Sequence, residues 1–311
     1  MTSRLMIGVD VAKDSLQIAH GESAVTMAVA NRRAALVAWL ATVPGGTCIA
    51  MEATGRYHRL LAELAHARGM LVYVLNPADL HYYARGVGMR SKTDRVDARL
   101  IARYLAHERS ALHPYAPPTA QQREIDQLLR RRATVVNSKT QLRLSLHDVA
   151  LCGRELRAVL QRLDAMITKF DQRLKQLAQG QAVAQARVES IVGIGPLTGV
   201  ALTNLFERVP LQDADAAVAF VGFDPRAKDS GHHSGRRRLS KRGPAELRRL
   251  LFNGARSASK TKLWRPFYDA LRARGLSTTA ATVILARKLL RIAFSIYRHG
   301  TTFDPARIAN A

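Results

Sequence analysis

The sequence is poor in cysteine, in acidic residues and in long apolar runs, and each shortage excludes a class of protein. Its two cysteines, Cys48 and Cys152, lack metal-ligand spacing, so we interpret them as small apolar residues in a reducing compartment and expect no zinc site. No apolar run approaches the roughly 18 residues of a membrane span, and no signal-peptide pattern occurs at the start. We therefore expect a soluble, cytoplasmic protein without a membrane partner.

The shortage of acids leaves a large positive charge. The chain has 48 lysines and arginines against 24 acids, a formal net charge of +24. Residues 226–298 alone contain 19 basic residues and three acids. Such an excess indicates a polyanionic partner whose binding is driven by counterion release. It does not distinguish DNA from RNA.

The first apolar run, LMIGVDVAKDSLQIAH, is interrupted by one carboxylate, Asp10. A buried acid costs several kcal/mol unless a metal ion, a partner charge or hydrogen bonds compensate it. The pattern predicts three antiparallel strands over 5–11, 15–19 and 24–30, followed by a helix over 32–41. This order is typical of the start of the RNase H-like fold, which places a metal-binding Asp in its first strand.

A second acid follows the next predicted strand. A strand over 47–51, a helix over 57–68 and a strand over 70–75 form a parallel crossover unit. Glu52 then lies at the carboxyl end of a central parallel strand, the edge at which ligands bind in open α/β sheets.

Two further acids, Asp94 and Asp97, lie three residues apart on a predicted helix that Ser91 or Thr93 caps. Together with the acids of the strands they make four carboxylates, which suit two divalent ions about 3.5–4 Å apart. Hard oxygen ligands select Mg²⁺ or Mn²⁺.

Each acid also has an ordinary alternative. Asp10 is placed to cap a turn, Glu52 lies next to a helix start, and Asp94 and Asp97 suit the positive end of a helix dipole. The order of the four favours metal binding. Lys92, Arg95 and Arg99 surround the last two acids and are candidates for contact with a DNA phosphate. The alternative for all three is charge balance on an exposed helix, and for Arg99 the two interpretations are equally good.

Three prolines within 113–118 mark a domain boundary, and the next 60 residues contain one glycine and no proline. Apolar residues there recur at alternating intervals of four and three. This seam consists of Leu156, Leu160, Leu163, Ile167, Phe170, Leu174 and Leu177. With the preceding helix over 119–150, it predicts either an antiparallel helical hairpin or an oligomerising arm.

The remaining part is predicted to be helical, with helices over 213–220, 244–257 and 278–297. The turn Gly193-Ile194-Gly195-Pro196 between two helices suits either phosphate binding or a tight packing corner. In the loop before the second of these helices, Ser230 reads as an ordinary turn serine, and His232 and His233 as solvated or phosphate-contacting side chains.

A basic run in the same loop is interpreted as a nucleic-acid contact surface. It consists of Arg236, Arg237, Arg238, Lys241 and Arg242.

Seven motifs in this order resemble one family over nearly the whole chain. They are GVDVAKDSL, AMEATGRY, VLNP, SKTDRVDARLIA, IVGIGPLTGVAL, VGFDPR with DSG, and LSKRGPAELRRLLF. This set is similar to the insertion-sequence transposases of the one-hundred-and-ten family, also called DEDD transposases or bridge-RNA-guided recombinases. The loop that contains Ser230 departs from the family pattern at Gly222-Phe223-Asp224-Pro225 and at His232-His233. These departures affect the expected geometry around Ser230.

The resemblance implies an α/β plus all-α protein with three parts. These are a RuvC-like catalytic domain of the RNase H-like fold over 1–112, a coiled-coil segment over 119–180, and a small helical transposase domain over 186–300. The family's metal-binding acids fall on Asp10, Glu52, Asp94 and Asp97, and its nucleophilic serine on Ser230. If that serine is not the nucleophile, Ser234 and Ser240 are the next candidates.

The resemblance also implies the partners. A structured bridge RNA pairs with donor and target DNA to choose the sites, and the serine holds DNA as a phosphoserine while metal at the acids assists. The site is composed from different subunits of a tetramer, so we expect a homo-oligomer, dimer to tetramer, located at the bacterial nucleoid.

The resulting hypothesis is a Mg²⁺-dependent, RNA-guided DNA recombinase that moves its own insertion sequence. One alternative is a RuvC-like junction endonuclease that only cuts DNA, and another is a non-catalytic basic scaffold for nucleic acid. A covalent protein–DNA adduct distinguishes the first from both others.

Overall fold

The computed structural model describes residues 5–21, 23, 25–89, 94–226 and 238–309, except for the side chains of residues 94–96, 307 and 309. The chain divides into two compact units, unit 1 (Met1–Pro117) and unit 2 (Pro118–Ala311). Unit 1 is α/β and unit 2 is almost entirely helical. The predicted combination of classes is therefore confirmed. The three-part division over 1–112, 119–180 and 186–300 stays a prediction. No helix in the described ranges is long and apolar enough to cross a membrane.

Among its described residues, unit 1 contains one five-stranded sheet and four α-helices. In chain order they are β1 (Met6–Val11), β2 (Ser15–His20), β3 (Thr26–Ala30), α1 (Arg33–Ala41), β4 (Cys48–Glu52), α2 (His58–Ala67), β5 (Leu71–Leu75), α3 (Pro77–Gly86) and α4 (Asp94–Glu108). The strand order is β3-β2-β1-β4-β5. Strands β1, β4 and β5 are parallel, and β2 is antiparallel to both of its neighbours, β1 and β3.

The sheet has two different faces because side chains alternate along each strand. Ile7, Val9 and Val11 of β1 are buried with the apolar residues of α1 and α2. The opposite face of β1 consists of Met6, Gly8 and Asp10, and α4 packs on that side. The sheet is thus covered by helices on both faces.

Contact between α4 and β1 is unusually close. A Cβ atom built on Gly8 would lie 2.2 Å from the carbonyl oxygen of Ala98 and 2.3 Å from the backbone nitrogen of Ala102. Both partners are main-chain atoms, which cannot rotate away as a side chain would. Only glycine at position 8 permits this approach.

Helix α3 has no counterpart among the predicted elements, because the sequence pattern makes Asn76-Pro77 the end of the strand over 70–75. In the structure the same pair begins the helix. The Asn76 side chain accepts a hydrogen bond from the Ala78 backbone nitrogen at 2.9 Å, and Pro77 occupies the first helical turn. Asparagine followed by proline is as good a helix start as it is a strand end.

Unit 2 is built from nine helices and two short strands among its described residues. They are α5 (Ala120–Ser145), α6 (Gly153–Leu177), α7 (Ala182–Glu189), α8 (Pro196–Arg208), α9 (Ala214–Val221), β6 (Pro225–Arg226), β7 (Arg238–Leu239), α10 (Ala245–Ala258), α11 (Arg265–Ala273), α12 (Thr278–His299) and α13 (Ala306–Ala309). Helix α8 is buried from Thr198 to Phe206 and forms the centre of the core.

The turn between α7 and α8 is held inside this core. The Trp264 indole is fully buried and donates to the Val192 carbonyl oxygen at 2.8 Å. A Cβ atom on Gly254 of α10 would lie 2.4 Å from the Gly193 carbonyl oxygen. These contacts favour the packing-corner reading for Gly193. Gly195, by contrast, is exposed at the start of α8.

Helices α5 and α6 pair as an antiparallel hairpin. Arg173 at the end of α6 bonds Glu124 at the start of α5, with Nε to Oε1 at 2.8 Å. Arg132 bonds Asp171, with Nη2 to Oδ2 at 3.0 Å, and Lys139 pairs with Asp164 further toward the tip. As the residue numbers of the bonded side chains rise along α5, those of their partners fall along α6. This order is expected for antiparallel helices. Helix α5 ends at Ser145, five residues before its predicted end.

Replacing Gly8 by alanine should loosen unit 1, because the added methyl group would overlap two backbone atoms of α4. We expect the free energy of unfolding to fall by about 1–3 kcal/mol or more. The change should appear as faster amide hydrogen exchange in β1 and α4, measured by mass spectrometry. Gly45→Ala is the matched control, since a Cβ atom there meets nothing within 4 Å. Equal exchange in the two variants would contradict the close packing.

Candidate functional site

Two of the predicted acids lie side by side in the sheet. The parallel pairing of β1 with β4 aligns Gly8 with Ala50 and Val9 with Met51, so the next position sets Asp10 beside Glu52. Aligned residues of parallel strands point to the same face. Both carboxylates therefore project from the face that packs against α4, and both are half-buried.

Helix α4 brings a third acid to this face. Asp97 precedes Ala98, whose carbonyl oxygen faces Gly8, and Gly8 lies two residues before Asp10 on the same face of β1. Asp97 and Glu52 line one cavity of about 430 Å³ between the sheet, α3 and α4. The register of the strands and the close helix contact thus place three predicted acids at one edge of the sheet.

The cavity also contains two residues that sequence reasoning missed. His81 and Arg85 lie four apart on α3, so they share a helix face, and both line the cavity with Glu52 and Asp97. They went unnoticed because α3 was not predicted. The available signal was the pair Asn76-Pro77 followed by a His and an Arg at helical spacing.

The Asn31 side chain forms hydrogen bonds to the segments that follow β1 and β4. The Asn31 amide nitrogen donates to the Ala12 carbonyl oxygen at 2.9 Å and to the Tyr57 carbonyl oxygen at 3.2 Å. Ala12 lies in the turn after β1, and Tyr57 precedes α2, which follows β4. The segments that follow Asp10 and Glu52 are therefore held in fixed relation.

Carboxylate oxygens are the ligands that a hard divalent cation prefers, but the described acids do not form a metal site by themselves. No group of three His, Cys, Asp or Glu side chains within the described part is arranged to hold a metal ion. Asp94 is the first residue of α4, and its side chain, like that of Arg95, lies outside the description, as does Lys92 entirely. Arg99 lies half-buried on α4.

In unit 2, a short stem joins the two ends of the segment 227–237. Strands β6 and β7 are antiparallel, with Pro225 opposite Leu239 and Arg226 opposite Arg238. Next to them the Ser240 hydroxyl donates to the Asp224 carboxylate.

The base of this stem is closed by backbone contact. A Cβ atom on Gly243 would lie 1.8 Å from the Phe220 carbonyl oxygen, and one on Gly222 would lie 2.6 Å from the Arg242 nitrogen. Arg248 of α10 locks the base, since its Nη1 donates to the carbonyl oxygens of Val221 at 2.8 Å and Gly243 at 2.6 Å. Burial lowers the pKa of Arg248. Both ends of the segment are thus anchored to the helical core.

Several predicted residues of this segment lie outside the described part of the chain. They are Ser230, His232, His233, Ser234, Arg236 and Arg237. Arg238, Lys241 and Arg242 are described, and all three are exposed on the stem. Ser240, the other alternative serine, is bonded to Asp224.

Comparison with known proteins matches two family models to successive parts of the chain. A family model described as "Transposase" (DEDD_Tnp_IS110) matches residues 7–151, and one described as "Transposase IS116/IS110/IS902 family" matches residues 185–269. The pilin gene-inverting protein of Moraxella bovis is 28% identical over 324 residues, covering 97% of this chain and 98% of that protein.

Two insertion-sequence transposases align over similar lengths. The IS1111A transposase of Coxiella burnetii is 26% identical, with 96% of this chain and 91% of that protein covered. The IS1328 transposase of Yersinia enterocolitica is 27% identical, with 98% and 100% covered. Two successive family models and relatives that align along almost the whole length establish that the chain belongs to the IS110 family of insertion-sequence transposases.

Proposed function

We propose that this chain cuts and rejoins DNA at the ends of an insertion sequence, with Ser230 as nucleophile and divalent metal at Asp10, Glu52, Asp94 and Asp97. A structured bridge RNA selects the donor and target sites. The N-terminal unit is, in this proposal, a RuvC-like member of the RNase H-like fold.

One observation carries the proposal. The strand order β3-β2-β1-β4-β5 places Asp10 next to Glu52 on one face, and α4 adds Asp97 on that face. The carboxyl edge of parallel strands is where ligands bind in open α/β sheets, which supports a ligand site at these acids. The oxygen donors suit Mg²⁺, with Mn²⁺ as a substitute.

The chemistry divides between the two units. Bound metal would neutralise phosphate charge and stabilise the leaving oxygen. The Ser230 oxygen forms a bond to phosphorus, and the bond from phosphorus to one bridging oxygen breaks. That oxygen leaves as a DNA hydroxyl and takes up the proton that the serine gives up. A different DNA hydroxyl then reverses the step and rejoins the strands.

The nucleic-acid partners follow from family and charge. Unit 1 has 14 lysines and arginines against nine acids, whereas unit 2 has 34 against 15. The proposed phosphate contacts are the exposed stem cations Arg238, Lys241 and Arg242, with Lys92, Arg95, Arg236 and Arg237 from outside the described side chains. An RNA partner in addition to DNA accounts for an excess of this size.

Asp10→Asn should abolish strand cleavage while the fold is kept, because it removes a metal ligand without opening a cavity. Loss of an outer contact to a metal ligand already costs about 10–100-fold, so loss of a ligand should cost more than about 100-fold. Plasmid excision in cells measures the effect. Asp14→Asn is the control, since Asp14 is an exposed acid in the turn after the same strand. Full excision by Asp10→Asn would refute the metal site.

Ser230→Ala should eliminate the covalent protein–DNA adduct and keep DNA and RNA binding, because the missing hydroxyl removes no charge. Denaturing gels detect the adduct as DNA that stays attached to the protein. Mobility shifts measure binding of DNA and RNA. Ser234→Ala tests the neighbouring serine and should still form the adduct. Metal-dependent nicking by the wild-type protein with no adduct at any time would instead indicate a junction endonuclease.

We further propose that the protein is a homo-oligomer, dimer to tetramer, held together at the α5–α6 hairpin. The seam residues of α6 are half-buried, except for the fully buried Leu174. Other apolar side chains of the hairpin remain open to solvent. Leu144 is 65% exposed, Val159 43% and Met166 45%. Apolar surface of this kind on a hairpin indicates a partner helix.

Glutamates at both Val159 and Met166 should lower the molar mass measured by light scattering and leave the hairpin folded, because neither side chain is in its interior. Glutamates at the exposed polar positions Gln161 and Gln172 are the matched control. If the mass falls only when Leu163 and Phe170 are replaced by glutamate, the contact between subunits uses the seam itself.

A further inference from the structure

Helix α3 adds hydrogen-bond donors to the cavity that Glu52 and Asp97 line. Its contribution consists of His81 and Arg85, and both side chains are exposed, so a ligand in the cavity can reach them. An arginine presents five N–H donors, and a neutral imidazole presents one. The cavity volume of about 430 Å³ lies within the usual range of ligand pockets. Carboxylates from β4 and α4 thus share one ligand-sized space with N–H donors from α3.

The strand before α3 fixes where the helix begins. Glu52 at the end of β4 lies opposite Leu75 at the end of β5, and the Ala53 backbone nitrogen donates to the Leu75 carbonyl oxygen at 2.9 Å. Helix α3 begins only two residues after Leu75, at Pro77, which also lines the cavity. The helix therefore starts at the same edge of the sheet as the acid.

Packing against α4 fixes how α3 is turned. Leu80 is buried in one apolar cluster with Ile101 of α4. The Tyr83 ring meets the Tyr104 ring of α4 edge-on, with the ring centres 4.9 Å apart. These two contacts hold the helix against α4, so Arg85 projects into the cavity from a fixed element and not from a loop.

Arg85 forms no ion pair with a described acid. Other arginines of the chain do, as Arg132 does with Asp171 and Arg249 with Glu246. Among the described side chains Arg85 has no such partner, although it shares a cavity with two carboxylates. Its N–H groups are therefore available to an anion that comes from outside the described part of the chain.

DNA that is cut at the acids would supply such an anion. Each phosphate of the strand is negative and is repelled by nearby carboxylates, so a cation beside the acids favours its entry. Arginine suits this task because its planar N–H fork matches two phosphate oxygens. We infer that Arg85 binds a backbone phosphate of the DNA strand that lies at the acids. The inference rests on the proposed function and adds to it a contact on a helix that the sequence did not predict.

The test measures whether Arg85 and one DNA phosphate act as a pair. Junction DNA of the element is prepared with a methylphosphonate at one phosphate at a time, so that a methyl group replaces a charged oxygen. The full-length protein, in complex with RNA from the flanking non-coding region, is titrated with each DNA in EDTA. Mobility shifts give the dissociation constants for the wild type, Arg85→Gln and Arg85→Lys.

Arg68→Gln is the matched control. Arg68 is an exposed arginine of the same unit, but it lies between the end of α2 and the start of β5, at the amino edge of the sheet. Both glutamine variants lose one positive charge, so a general electrostatic loss appears equally in the two. Thermal melting monitors folding, and a separate titration measures RNA binding.

On normal DNA, Arg85→Gln should bind about tenfold more weakly than the wild type, because a hydrogen-bonded charge pair is lost. At one phosphate, the methylphosphonate should weaken binding by the wild type and by Arg68→Gln about tenfold, and binding by Arg85→Gln less than about twofold. Arg85→Lys keeps the charge without the planar fork and should lie between the wild type and Arg85→Gln.

Independent effects at every phosphate, which would multiply to about 100-fold, would overturn the inference. The same coupling in Arg68→Gln, or a loss confined to RNA binding, would overturn it as well. If Arg85→Gln does not fold, the comparison is decided with Arg85→Lys. The titrations measure binding and not cleavage, so a failure of the metal or serine assignment, seen with Asp10→Asn or Ser230→Ala, is distinguished from a failure of this contact.

Discussion

Unit 1 depends on the contact between two backbones, that of Gly8 in β1 and that of α4 at Ala98 and Ala102. Helices usually pack on a sheet through side chains, at a spacing of about 10 Å. Without a side chain on Gly8, α4 lies deeper, so a short acid on the helix comes near the level of the acids on the strands. Asp97 of this helix lines the same cavity as Glu52.

Unit 2 uses the same device for a different purpose. Gly222 and Gly243 allow two chain segments to meet at the base of the stem, and Arg248 fastens both to α10. One arginine that bonds two carbonyl oxygens from opposite ends of a loop makes the position of both ends depend on the core. In each unit, the missing side chain of a glycine permits close contact between two segments of backbone.

The sequence identified local features well where one residue was anomalous in its surroundings. Asp10 in an apolar run indicated its own strand, and the position of Glu52 at the end of a parallel strand followed from the strand, helix and strand around it. Asn76-Pro77 failed because a polar residue before proline ends a strand and starts a helix by the same chemistry. Cations such as Arg85 and Arg248 could not be selected, since a chain with 48 basic residues gives no local reason to prefer one. Their roles depend on tertiary contacts with residues distant in sequence.

The two hydrogen bonds of Asn31 make the acidic edge sensitive to a slow chemical change. Its amide nitrogen donates to the carbonyl oxygens of Ala12 and Tyr57. Hydrolysis of that amide would leave a carboxylate, which has no hydrogen to donate at neutral pH and repels both oxygens. The turn after β1 and the start of α2 would then lose the hydrogen bonds that join them through Asn31. One amide outside the group of acids thus links the segments that follow Asp10 and Glu52, and its hydrolysis would remove that link.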